Sequence, residues 1–469
     1  MSTNLLRLSL FSAGAFLVGC QSGRLDSPSQ NTRLLSNQTP NAIAASSSTL
    51  PVLLQTSHQE STEQHIGPWT LQQLLDKTLA ANPELASSKA KAESARGQLV
   101  QAGLYPNPTV GWRTEELSLN KSGGGQQGPY VNQEIVTAGK LQIAQAAAAH
   151  GVTAADWQAV TKWYEVSTRV RVAYYDLLSA ERELVVSKEI EQLAKEGLEK
   201  ADKLQQDGSV LSFDVKKAQV ELTLSQGKRV AAEQRIEGNK KKLAAIVGVP
   251  KQAITSVSGK LESCPTAYEW TKVLETALTR SSEIQEAQSL ISQAQEHVRL
   301  AEAQVTPNLQ LQARPVYDFP DRNVMLFVEA GVNLPLFNRN QGNIMSAMAE
   351  VARTDAELRQ TESRLAERLA ESYRRFENAK RQSEILEKAV KDAEESLKLV
   401  REGNVLDRKV ARYMDVLDAL RLLSQVRLEL VEMQGEVWKA KSEIEGILQT
   451  ESSPVAVPGE GSAPCILLP

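Results

Sequence analysis

The chain has 469 residues, too many for a single small core, and only 5% of them are aromatic. Ala, Glu, Gln, Leu, Lys and Arg fill most of the length, which is the composition of long helices rather than of a sheet-rich globule. A net charge of −4 with no long block of like charge gives no reason to expect nucleic acid as a partner.

The amino terminus reads as an export segment. Arg7 supplies its positive start, and Leu8 to Val18 form an apolar run too short to span a bilayer as a helix. The run ends in Leu17-Val18-Gly19-Cys20, which resembles a lipobox, so residues 1–20 are expected to be a lipoprotein signal peptide and Cys20 its lipidated residue. Each buried acyl methylene adds roughly 0.8 kcal/mol of membrane affinity, enough for an anchor rather than a span. Gln21, being a residue other than Asp, implies by the same resemblance sorting to the outer membrane. Residues 21–68 are rich in Ser, Gln, Thr and Asn and read as a flexible tether.

From there the chain is written twice, with a period of about two hundred residues. The first copy is expected over 69–265 and the second over 266–449. Asn82-Pro83-Glu84-Leu85 is answered by Ser282-Glu283-Ile284, and Pro106-Asn107 by Pro307-Asn308. The segment 133–140 is answered by 333–340, Tyr174 to Ala180 by Tyr373 to Ala379, and Phe213-Asp214-Val215 by Met414-Asp415-Val416.

Each copy predicts a first helix (70–104 and 269–305) stopped by Pro106 or Pro307, then two strands, a very long helix, a turn and a second long helix. The long helices are expected near 138–206 and 341–402, and at about 1.5 Å per residue each reaches on the order of 100 Å. In the second copy Leu365, Leu369, Ser372, Phe376, Ala379, Ser383, Leu386, Val390, Ala393, Leu397 and Val400 alternate four and three apart, the seam of a coiled coil. Trp157, Trp163, Tyr164, Tyr174 and Tyr175 lie on the first long helix, where packing against neighbouring helices is preferred over an interfacial aromatic belt.

The strands are predicted at 107–117 and 127–137, then 308–318 and 323–334. In the last, Val324, Leu326, Val328, Ala330, Val332 and Leu334 alternate with Met325, Phe327, Glu329, Gly331 and Asn333. That period of two suits lipid on one side and water on the other. A hydrocarbon layer tolerates no open sheet edge, and about eight strands make the smallest practical barrel. Four strands per chain must therefore be completed by copies of the chain, two copies being the minimum.

These landmarks, together with Gly103-Leu104-Tyr105-Pro106-Asn107-Pro108 and Pro335 to Gly342, resemble the outer membrane efflux protein family of TolC-like channels, in particular its heavy-metal CzcC-type branch. The likeness runs from Trp69 to Leu448. The resemblance implies a mainly α fold with a small membrane β-barrel: four strands per protomer, twelve in a homotrimer, continuing into a coiled-coil helical tunnel. It implies a periplasmic adaptor (membrane fusion) protein and an inner-membrane resistance-nodulation-division pump as partners, outer-membrane lipid around the barrel, and a passive duct without cofactor or catalytic residue. Multidrug and type I secretion channels share this architecture. A lipid-anchored periplasmic coiled coil without a pore is the competing structural reading, which the alternation in 324–334 opposes.

Asp415 and Asp418 stand three apart and so share a helix face. Spacing alone allows two solvated aspartates; the resemblance implies a periplasmic gate of stacked carboxylate rings, which would concentrate cations. Gly208, Ser209, Gly403 and Asn404 mark the helix tips where an adaptor is expected to dock. The second tip is longer than the first by residues within 404–412. Cys20, Cys264 and Cys465 share no metal-ligand spacing, the four histidines are scattered, and no enzyme motif occurs. Residues 450–469 read as a disordered tail.

Overall fold

A computed structural model describes residues 67–115, 125–251, 254–261, 267–319, 321–406, 413–450 and 454. Cys20, Cys264, Cys465, residues 21–66 and nearly all of the tail lie outside these, as does the assignment of a signal peptide.

Both halves run through the same elements. The first holds α1 (Leu71–Ala81), α2 (Pro83–Ala102), β1 (Thr109–Glu115), β2 (Gln126–Ile135), α3 (Lys140–Gln206) and α4 (Ser212–Val247). The second holds α5 (Trp270–Arg280), α6 (Ser282–Ala303), β3 (Leu309–Asp318), β4 (Asn323–Val332), α7 (Gln341–Leu406) and α8 (Tyr413–Leu448). No helix among the described residues is long and apolar enough to cross a membrane.

The helices expected over 70–104 and 269–305 are each two helices. The break falls at the N-cap of the second. The Asn82 side-chain oxygen accepts the backbone N–H groups of Glu84 (2.8 Å) and Leu85 (3.3 Å), and Pro83, which has no N–H to satisfy, occupies the first helical position. Ser281 does the same for α6, accepting the Glu283 N–H at 3.2 Å. The Asn82 amide also donates to the Ile246 carbonyl at 2.7 Å, tying this break to the end of α4. There Gly248 takes φ +95, and a Cβ on it would lie 2.7 Å from the Ala81 carbonyl oxygen, so only glycine fits.

The coiled-coil seam of α7 is as the spacing predicts. Leu365, Leu369, Ser372, Phe376, Ala379, Ser383, Ala393 and Leu397 are buried, and Leu386, Val390 and Val400 partly so. Its upper part packs on Val437, Ala440, Ile444 and Leu448 of α8. The corresponding core of the first half gathers Trp163, Val166, Val170, Tyr174 and Leu177 of α3 with Leu243 and Val247 of α4 and Leu74 and Leu75 of α1. Four of the five aromatic residues of α3 therefore serve packing: Trp163 and Tyr174 are buried in this core, Tyr164 and Tyr175 lie against it, and Tyr175 stacks on Trp438 at 5.3 Å, whereas Trp157 is half-buried and lies outside this core.

Helix neighbours change along the length. Near the strands the row runs α2, α3, α6, α7; toward the tips it runs α4, α3, α8, α7. Helix α7 is thus one lateral edge throughout, and the opposite edge is α2 and then α4. Among the described residues four strands form one antiparallel sheet in the order β1-β2-β3-β4, with β1 and β4 unpaired there on their outer sides. Since α2 leads into β1 and β4 leads into α7, the open edges of the sheet and of the helical rows fall on the same two sides.

Candidate functional site

The register separates the sheet into two chemically distinct faces, because directly paired residues point to the same side. One face carries Val110, Trp112, Val131, Ile135, Leu309, Leu311, Ala313, Tyr317, Val324, Leu326, Val328 and Val332, with Thr114, Gln127 and Gln133 its only polar strand residues. The other carries every charged strand residue: Arg113, Glu115, Glu134, Arg314, Asp318 and Glu329.

Burial runs opposite to the rule for water-soluble sheets. Val110 is 70% exposed, Val324 66% and Val328 71%, whereas on the charged face Val316 is 1% and Asp318 7% exposed. Among the described residues the strands make no extended contact with any helix, and none of these helices covers the apolar side. An apolar face turned outward over ten-residue strands matches the outside of a membrane barrel, where about nine to eleven tilted residues span the hydrocarbon.

The charged face is ordered by ion pairs. Glu115 accepts from Arg113 at 2.7 Å and from Arg314 at 2.9 Å. The Arg314 guanidinium lies 5.1 Å from the centre of the Phe327 ring. Gly128, the β2 residue on the row between Glu115 and Arg314, presents no side chain; a Cβ there would fall 2.0 Å from the Pro315 carbonyl oxygen. In the adjacent row Tyr130 lies across Gly111, where a Cβ would meet the ring at 2.6 Å. Sequence reading missed this network. Its only linear trace is the confinement of charge to alternate strand positions.

At the opposite end of the helices, Asp415 and Asp418 occupy the first turns of α8 and both are exposed. Between them Leu417 is buried against Ala201 of α3 and Ala218 of α4. One turn further on, Arg421 donates to the buried Glu221 of α4 at 2.6 Å, a link the sequence gave no sign of. Glu221, and after it Asp418, hold the Arg421 guanidinium above its ordinary pKa.

Gly208 lies in the turn after α3 at φ +70, with the Ser209 N–H closing on the Leu204 carbonyl at 2.8 Å. Gly403 and Asn404 differ: α7 continues to Leu406, so both stand in its last turn rather than at the reversal, and the linking residues 407–412 lie outside the described ones. The helical ends alone do not bring the two halves' glycines to equivalent places.

Between α2, α3, α6, α7 and α8 lies a groove of about 1620 Å³ whose lining residues are mostly charged or polar. Its walls hold the ion pairs Glu84–Arg169 (2.6 Å) and Glu283–Arg368 (2.5 Å), together with Arg375–Glu443. Glu286 lines the same groove and receives a hydrogen bond from the Gln158 amide at 3.3 Å; burial first, and then the neighbouring Glu283, push its carboxyl up to about 7. Among the described residues no group of three His, Cys, Asp or Glu side chains is placed to hold a metal ion.

Comparison with known proteins gives a consistent result. The family model described as "Outer membrane efflux protein" matches residues 74–249 and again 273–448, one match per half. The cobalt-zinc-cadmium resistance protein CzcC of Cupriavidus metallidurans is 22% identical over 383 residues, covering 81% of this chain and 90% of that protein. Among solved structures, the outer membrane protein VceC of Vibrio cholerae superposes with a TM-score of 0.68 at 21% identity, covering 81% of this chain and 95% of that one. CusC, whose structures concern folding and transmembrane channel formation, gives 0.67 at 16% identity, over 81% and 91%. At these identities the structural likenesses establish the fold.

Proposed function

The chain belongs to the outer membrane efflux protein family, and from that premise we propose that three copies form the outer-membrane duct of a tripartite efflux system carrying heavy-metal cations. The observation that carries this reading is the pair of open edges. Among the described residues β1 and β4 lack partners in the sheet, and in the helical rows α2 or α4 on one side and α7 on the other do. All the open edges lie on the same two sides, so one rotation that joins β4 to the next copy's β1 also joins α7 to the next copy's α2 and α4. A repeated head-to-tail contact of this kind closes into a ring when its rotation divides a full turn. Leaving the edges unpaired in hydrocarbon would cost several kcal/mol for each exposed backbone group.

Three copies supply twelve strands and a continuous helical tunnel beneath them. The duct is passive: energy comes from an inner-membrane resistance-nodulation-division pump, delivered through a periplasmic adaptor. Adaptor docking at the tips is supported by the exposed Leu211 and Phe213 beside the Gly208–Ser209 turn; Gly403 and Asn404 stand in the last turn of α7 in the second half. Asp415 and Asp418 are assigned to the periplasmic gate. Acylated Cys20 would add an anchor to the barrel's own hold on lipid. The heavy-metal cargo is supported by the likeness to the CzcC protein and by exposed carboxylates at the proposed entrance.

The test is loss and restoration. Cells deprived of the chain are expected to become sensitive to cobalt, zinc or cadmium, with resistance restored by the intact gene. Sensitivity to organic drugs alone would make a multidrug duct the correct reading.

A further inference from the structure

Each half supplies one hairpin of long helices, and the two hairpins match position by position. Val166, Val170, Leu177 and Ala180 of α3 hold the places of Leu365, Leu369, Phe376 and Ala379 of α7, and all are buried. Ile236, Leu243 and Val247 of α4 hold those of Val437, Ile444 and Leu448 of α8, and these are buried as well. The seam inside one hairpin is therefore the seam inside the other.

The halves part company on the second face of each helix. Within the copy, α3 also packs on α8: Val186 (4% exposed) and Ile190 close on Val431 (5%), and Tyr175 stacks on Trp438 at 5.3 Å. On α7 the place of Val186 is taken by Ile385, which is 64% exposed; on α4 the place of Val431 is taken by Val230, which is 46% exposed. Tyr175 and Trp438 are answered by Arg374 and Glu237, of opposite charge, with side chains 65% and 57% exposed. The face that α3 turns to α8 thus recurs on α7, and the face that α8 turns to α3 recurs on α4, each at an open edge of the helical row.

We propose that a second copy of the chain covers these faces by repeating the joint that one copy makes between its own halves: Ile385 of α7 packs on Val230 of the next copy's α4, and Arg374 pairs with Glu237 of that copy. The inference rests on the reading that copies close one ring. Every step around the wall, from half to half, then uses one kind of helix contact, whether it falls inside a copy or between copies. Ile385 and Val230 gain there the apolar surroundings that Val186 and Val431 already have. Opposite charges in place of the stacked aromatic pair keep the open edges soluble before copies meet and steer them together when they do.

The experiment is disulfide trapping in detergent-solubilised oligomers of the full chain carrying Cys264→Ser and Cys465→Ser. Val230→Cys combined with Ile385→Cys is expected to give covalent dimers and trimers on denaturing gels after mild oxidation, and either cysteine alone is expected to give none. Val186→Cys with Val431→Cys, the joint inside one copy, is expected to link within a single chain and calibrates the reaction. A second arm reverses charge at low salt. Arg374→Glu and Glu237→Arg are each expected to lower at least twofold the fraction of chain recovered as three-copy particles, and the double reversal to restore it. Three-copy particles that show neither the cross-link nor the restoration overturn the proposal and leave the ring standing. Should the cysteine pair prevent assembly, a charge arm without restoration overturns it equally. A wild-type chain that forms no three-copy particle removes the ring itself, and this joint with it.

Discussion

Arg368 donates to Glu283 across 2.5 Å, and one repeat earlier Arg169 donates to Glu84 across 2.6 Å. In both pairs the partners are 85 residues apart. Each arginine projects from a long helix (α3 or α7), and each glutamate sits in the first turn of a short one (α2 or α6), where a negative charge also suits the helix dipole. The two halves therefore repeat a side-chain contact as well as an order of elements.

Both pairs are well exposed, with side-chain exposures of 42% and 44% in one and 52% and 28% in the other. Arg169→Ala and Arg368→Ala are each expected to cost less than about 1 kcal/mol. Thermal unfolding of the detergent-solubilised variants checks this, and the expected result is a small and similar shift for the two. A large loss from one alone would mean that the halves have diverged in how they are braced.

Glu286 gives a pH dependence. Unfolded, its carboxyl titrates near the ordinary 4.5; in the folded groove it holds its proton up to about 7. The folded state then binds more protons between those values, so stability falls as pH rises from about 4.5 to about 7 and changes no further above. Burial pushes Asp156 and Glu181 the same way, so the informative quantity is the difference between wild type and Glu286→Gln. The variant is expected to have a flatter profile and the higher melting temperature at pH 8. Parallel profiles would remove Glu286 as the cause.

The two faces of the sheet are expected to differ sharply in tolerance. Val328 and Glu329 are neighbours in β4 on opposite faces. An arginine on the lipid side near mid-bilayer costs about 2–4 kcal/mol per copy, so Val328→Arg should block assembly in the membrane, whereas Glu329→Gln should assemble normally. Detergent extraction and sizing of the two variants decides this. Equal assembly would deny that Val328 faces lipid.

At the tips, Asp415→Asn with Asp418→Asn is expected to reduce cation preference and to weaken block by cobalt or zinc ions added from the tip side. Single-channel recording measures both. Unaltered block would leave these residues as solvated aspartates outside the narrow path.

Much of this architecture was legible because it depends on periodicity. Alternation in 309–314 and 324–334 located β3 and β4 closely, and the four-three spacing from Leu365 to Val400 identified the buried seam of α7. The breaks at Asn82 and Ser281 were missed because helical patterning continues across them; the cap signals were present but were read only as repeat landmarks. Helix α7 carries through Gly403 to Leu406, past its expected end at 402, because an isolated glycine does not by itself stop a helix. The Arg113–Glu115–Arg314 and Arg421–Glu221 contacts depend on strand register and helix rotation, which no linear spacing specifies.

The central claim is that this chain cannot complete its sheet alone. The most direct measurement is the mass of the Cys20→Ser protein, free of any acyl anchor, with and without detergent. The expected result is a particle of three copies of the 51.4 kDa chain in detergent, with no stable single-copy species in plain buffer. A folded, monodisperse monomer in water would contradict the account.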